Sequence, residues 1–170
     1  MPANLFTFVE LYTRIVRSTA HVLRKGEAFA AGRGLTTDEM LGWRLIDDME
    51  PLRFQVSVVC NFSKQFPARV AGLAPPADVD VATDLNGFYA ALEACERFLA
   101  ALTPAQFESR EEVPLTVELA NGALTPTLPA GRWLTVFATT NLYFHLSTAY
   151  DILRSRGVQI GKADLFSDGL

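Results

Sequence analysis

The chain has 170 residues, of which 49% are apolar, 20% charged and 11% aromatic. At about 150 residues per domain this is one domain, residues 1–170, long enough to fold without a disulfide or a metal. The apolar share excludes a disordered chain, and a net charge of −4 has the wrong sign for a nucleic-acid partner.

The first helical pattern runs from Asn4 to Ala31, with Leu5, Phe8, Tyr12, Ile15, Thr19 and Val22 three and four apart. Gly32 and Gly34 are expected to end it. Glu10, Arg14 and Arg17 interrupt the apolar stretch that a secretion signal needs. With Arg24 and Lys25, the arginines read as a solvated helix face. No apolar run reaches the roughly 18 residues of a membrane span.

Thr37, followed by Asp38 and Glu39, opens a second helix whose acidic residues meet its positive end. Its stripe is Leu41, Leu45, Met49, Leu52, Val56, Val59, Phe66 and Val70. Pro51 predicts a kink or short break near Glu50, and Pro67 a second. Residues 72–81 hold two consecutive prolines and connect to a third helix capped by Thr83 or Asp84. The near-heptad rhythm of Leu85, Phe88, Leu92, Cys95, Leu99 and Leu102 suits a helical bundle. Thr103 and Pro104 close that helix.

Val113, Leu115, Val117 and Leu119 then alternate before Asn121-Gly122, with Leu124 and Leu128 beyond. An Asn-Gly pair between alternating apolar residues signals a β-hairpin. A last helix spans Ala130 to Arg156 with Gly157 as its cap, and a tail bearing Ile160, Leu165 and Phe166 is expected to dock. Cys60 and Cys95 have no metal-ligand spacing and fall inside helical apolar patterns. Buried free thiols in a reducing cytoplasm are the expected state.

The last helix carries the polar residues of interest. At 100° per residue, Leu134, Asn141, His145, Thr148 and Ile152 share one stripe, apolar at both ends and polar in the middle. Asn141 and His145, one turn apart, can converge on a common point, the spacing from which bundle-core metal sites are built. Asp48 and Gln55, seven apart, lie together at the edge of the second helix's apolar face. These four residues, with Thr148, are the candidates for a polar pocket inside the bundle. The alternatives remain open. His145 reads first as a buried neutral imidazole hydrogen-bonded on both sides, and second as a metal ligand. Asp48 reads equally as a cap for the helix restarting after Pro51, or as a partner of Arg44 or Arg53. His21 reads as surface, and Tyr143, Phe144 and Tyr150 as core or interface.

The run NLYFHLSTAYDILRSRGVQIGKADLF, Asn141 to Phe166, resembles the closing signature of a bacterial domain-of-unknown-function family within the DinB/YfiT-like helical-bundle superfamily. DDMEPLRFQV, Asp47 to Val56, resembles that family's second signature, and the hairpin falls where the family places one. The resemblance covers nearly the whole chain. It implies an all-α, four-helix bundle, often dimeric, with a small β-hairpin between the third and fourth helices. It also implies kinship with metal-dependent thiol transferases, a mycothiol-dependent isomerase and hydrolases. Their divalent metal is held by three histidines, one on the second helix and an HxxxH pair on the last.

Matching Leu153-Arg154 to the Leu-Arg after HxxxH places His145 on the second of that pair and Asn141 on the first. The second-helix position falls near Asp48 or Gln55, where no histidine occurs. Zn²⁺ and Ni²⁺ favour nitrogen and sulfur over amide oxygen. The expected cofactor is therefore none, with a weakly held Zn²⁺ or Ni²⁺ on His145, Asp48 and Asn141 as the alternative. The function expected is binding of a small molecule or partner by a cytoplasmic homodimer. The alternative is a metal-dependent transferase or hydrolase using Asp48, Asn141 and His145. In a purely structural dimer, Tyr143 and Tyr150 would pack across a two-fold axis.

Overall fold

A computed structural model of the chain describes residues 4–119 and 122–166. Its helices are α1 (Thr7–Gly32), α2 (Thr37–Leu41), α3 (Leu52–Val70) and α4 (Leu85–Ala100), followed by a last rod. That rod comprises α5 (Ala130–Arg132), a π-helical stretch (Trp133–Ala138) and α6 (Thr139–Ser155). Two strands, β1 (Pro114–Thr116) and β2 (Thr127–Pro129), separate α4 from the rod.

α1, α3, α4 and α6 form a four-helix bundle. α1 and α3 each pack on both α4 and α6 and also touch one another, so α4 and α6 occupy opposite corners. One continuous core joins Tyr12, Val16 and Leu23 of α1 to Val56 and Val59 of α3, Phe88 and Leu92 of α4, and Leu142 and Ile152 of α6. α3 is the most enclosed, buried from Gln55 to Cys60 without a break. No helix among the described residues is long and apolar enough to cross a membrane.

The helix ends follow from local chemistry. Gly34, at φ +70°, and Gly157, at φ +97°, take the left-handed conformation that lets the next amide fold back. The N–H of Leu35 then reaches Ala30 O, and that of Val158 reaches Leu153 O, closing α1 and α6 in the same way. α2 opens at Thr37 as expected, and Thr36 caps it in a reciprocal pair with Glu39. Asp84 caps α4 by accepting the Gly87 N–H at 2.8 Å.

The expected second helix is two helices. α2 stops at Leu41, and residues 42–51 form a loop, a break longer than the kink or short break expected near Glu50. Pro51, extended at ψ 171°, stands just before α3. The loop is pinned where the Leu52 N–H donates to Trp43 O at 2.8 Å. Leu45, inside the expected apolar stripe, is exposed because it belongs to this loop. α3 continues through Pro67 to Val70.

The hairpin pairs antiparallel, Leu115 opposite Leu128, with a further bridge between Leu119 and Leu124. That bridge encloses four residues, where a two-residue turn on Asn121-Gly122 would enclose two. Asn121 itself lies outside the described residues. Trp133, fully buried, donates its indole N–H to Leu115 O at 2.7 Å and so ties the hairpin to the last rod.

The tail docks on α1. Ile160 is buried and Leu165 packs on the core, while Phe166 stays exposed. Asp164 bonds Lys25 at 2.5 Å and His21 at 2.8 Å. Those contacts, with the Gly161 N–H, hold its carboxyl well below the usual carboxylate range. His21 is therefore half-buried under the tail and not a bare surface residue.

Candidate functional site

The last rod sets the geometry of the candidate site. Through its π-helical stretch the Thr139 N–H reaches back five residues to Leu134 O. The same carbonyl accepts the Tyr12 hydroxyl at 2.6 Å and the Thr139 hydroxyl at 2.9 Å, and the two hydroxyls lie 3.0 Å apart. Tyr12 is fully buried, and that burial pushes its phenol above its ordinary range.

The wider turn accommodates one extra residue, worth about 100° of α-helical rotation. The buried line therefore runs through Ala138, Leu142, Leu146, Ala149 and Leu153. Of the expected stripe, Leu134, Thr148 and Ile152 are buried, while Asn141 and His145 are half-buried at its flank. They stand at the rim of the α3–α6 contact, not at the bundle centre. Asn141 donates to Phe137 O at 2.8 Å, and Thr148 bonds back to Phe144 O at 2.8 Å.

Two of the candidate residues meet. Gln55 Oε1 lies 2.7 Å from His145 Nδ1 across the α3–α6 interface. The Gln55 amide nitrogen donates to Glu50 O at 2.9 Å, which fixes the amide orientation because a carbonyl only accepts. Gln55 Oε1 must then accept, so His145 carries its proton on Nδ1 and a lone pair on Nε2. Among the described residues no bond is made to Nε2 and no buried polar side-chain atom lacks a partner, so Nε2 is not fully buried. Burial lowers the His145 pKa to about 4, keeping the ring neutral near pH 7. Phe54 and Phe144 present T-shaped contacts to the ring, with centroids 6.0 Å and 5.1 Å away.

Asp48 does not join them. It is exposed in the loop after α2 and, with Ile46 and Asp47, borders a wide, open recess of about 420 Å³. It neither caps α3 nor pairs with an arginine. Arg53 bonds Asp38, and Arg44 donates to Met49 O. The helix expected to carry Asp48 beside Gln55 ends at Leu41, so the seven-residue spacing loses its meaning.

The three-histidine arrangement implied by the resemblance is therefore represented by Gln55, Asn141 and His145. That set offers one imidazole, two neutral amides and no anion, and Gln55 Oε1 is already engaged by His145. Among the described residues no group of three or more His, Cys, Asp or Glu could hold a metal. The donors present do not fit Zn²⁺ or Ni²⁺. They leave Nε2 as a hydrogen-bond acceptor on an imidazole that Phe54 and Phe144 contact. Sequence spacing did not single out Phe54, which adjoins Gln55, or the Tyr12–Thr139 pair that supports the rod.

The family described as a domain of unknown function, DUF1993, matches residues 6–166. The crystal structure of a DinB family member protein from Shewanella denitrificans superposes with a TM-score of 0.84 at 28% identity, covering 95% of this chain and 90% of that one. The bundle is thus DinB-like. No curated protein matches the chain.

Proposed function

The chain belongs to the DUF1993 family, and on that premise we propose that it is a binding protein in which a DinB-like bundle has exchanged metal chemistry for a hydrogen-bonding site. The observation supporting this reading is the Gln55–His145 contact at 2.7 Å. An amide on α3 fixes the imidazole as a neutral acceptor where the resemblance implies a second metal-binding imidazole. Nε2 would accept from an N–H or O–H of a small ligand, and Phe54 and Phe144 would flank its apolar part.

The proposed setting is a reducing cytoplasm that keeps Cys60 and Cys95 as thiols. The proposed assembly is a homodimer. Val136, Tyr143 and Phe144 leave an exposed apolar stripe on the last rod, whereas Tyr150 packs on the core. Sedimentation showing only monomer would remove the dimer from this reading.

Thermal melting with Zn²⁺, Ni²⁺ and Mn²⁺ tests the proposed function. An unchanged Tm for each metal is expected. A rise of several degrees that disappears in His145→Ala would favour a metal-dependent transferase or hydrolase instead.

A further inference from the structure

Away from this site, Cys60 on α3 and Cys95 on α4 are both fully buried free thiols. The Cys95 thiol donates to Cys60 O at 3.3 Å, and the Ser63 hydroxyl donates to the same oxygen at 3.2 Å. Lys64, the next residue, is nearly buried, and its Nζ makes a long 3.4 Å hydrogen bond to Ala77 O. Two thiols, a hydroxyl and an ammonium thus gather within one turn of α3 and the facing turn of α4. Packing alone needs none of these groups, since an apolar pair would fill the interface as well.

We infer that Cys60 and Cys95 form a reversible dithiol–disulfide site whose oxidant is a small hydroperoxide. One of the two thiols attacks first. Its sulfur forms an S–O bond as the peroxide O–O bond breaks, giving a sulfenic acid and releasing the alcohol, or water when the oxidant is hydrogen peroxide. The other sulfur then displaces that oxygen as water and the S–S bond forms. A dithiol reductant reverses the step by exchange and is itself oxidised.

The two thiols differ in their surroundings. Hydrogen bonding with Cys95, and then burial, push the Cys60 thiol up. The hydrogen bond from Cys60 holds Cys95 below the ordinary thiol range against its burial, with Ser63 and Lys64 acting in the same direction. The connector between α3 and α4 has no helix or strand where it bonds to this part of α3. Side chains of α3 tie it down. Asn61 accepts the Val79 N–H at 2.8 Å, Lys64 reaches Ala77 O, and Gln65 bonds Asp78. Gln65 also donates to Pro76 O at 3.4 Å, and local opening of this segment is the proposed route for the oxidant.

The test treats the folded protein with hydrogen peroxide, then counts thiols after denaturation and maps peptides. Expected are loss of both thiols, an intramolecular Cys60–Cys95 disulfide, full reversal by dithiothreitol, and a Tm several degrees higher in the oxidised form. Cys60→Ala and Cys95→Ala should each yield no intramolecular product. Because peptide mapping of the native chain reads the bond directly, the inference survives a variant that fails to fold. Thiols that react only above the unfolding midpoint, or products that are only sulfinic acids or cross-linked chains, would overturn it.

Discussion

Lowering the pH from 7 to 5 should destabilise the protein through His145. In the unfolded chain this ring takes up a proton near 6.5, whereas in the fold burial delays uptake to about 4. Between those values the unfolded state binds more protons, so acid favours unfolding. The penalty is absent at pH 7, begins as pH falls through 6.5, and is complete below 4. Taken without screening, the shift amounts to about 2 kcal/mol at pH 5. The ring is only half-buried, so water reduces this, and about 1 kcal/mol is the expected effect. Urea unfolding at both pH values, for the native chain and for His145→Gln, isolates it. The variant cannot titrate at position 145, so the difference of differences cancels every other group. The native chain should lose about 1 kcal/mol more than the variant, or about 2–4 °C in Tm. Equal losses, or a smaller loss in the native chain, would refute the claim that burial holds this imidazole neutral.

Tyr12→Phe removes a fully buried hydroxyl from Leu134 O and should cost about 1–2 kcal/mol, read as a lower urea midpoint. A cycle with Thr139→Val should show coupling, since both hydroxyls serve one carbonyl. Gly26→Ala would set a Cβ 2.6 Å from Leu153 Cδ2 and 3.1 Å from Met40 Sδ, so about 1–3 kcal/mol of stability should be lost. A neutral Tm would show that α1 and α6 separate easily there. Gln55→His combined with Asn141→His restores three imidazoles, and Zn²⁺ at 100 times its Kd should then stabilise that protein by about 2.7 kcal/mol. Failure of Zn²⁺ to raise its Tm would show that these positions do not converge as a metal triad.

The long helices and the hairpin were legible because their apolar periods match the faces that are buried, as in Leu85, Phe88, Leu92, Cys95 and Leu99. The break between α2 and α3 was only half legible. Leu45 and Met49 continue the helical period by coincidence, so Pro51 suggested a kink or a short break near Glu50 where the chain makes a loop of ten residues. The π-helical stretch was not legible at all. Periodicity assumes 3.6 residues per turn, and nothing in Trp133–Ala138 announces a wider one. The widened turn offers the Leu134 carbonyl to Tyr12, far away in sequence. It moves Asn141 and His145 from the expected centre to the rim. The pairing of Gln55 with His145 depended on which helices are neighbours, and α3 against α6 is a tertiary fact. Asp48 was misplaced for the same reason as Leu45.

The tautomer of His145 is the most direct test of the account. A long-range ¹H–¹⁵N spectrum recorded at pH 7 and followed downward in pH reads which nitrogen holds the proton and when the second one arrives. A proton on Nδ1, an unprotonated Nε2 and a midpoint near 4 are predicted from the Gln55 contact and the ring's burial. A proton on Nε2, or a midpoint near 6.5, would contradict the Gln55-held acceptor and the binding site built on it.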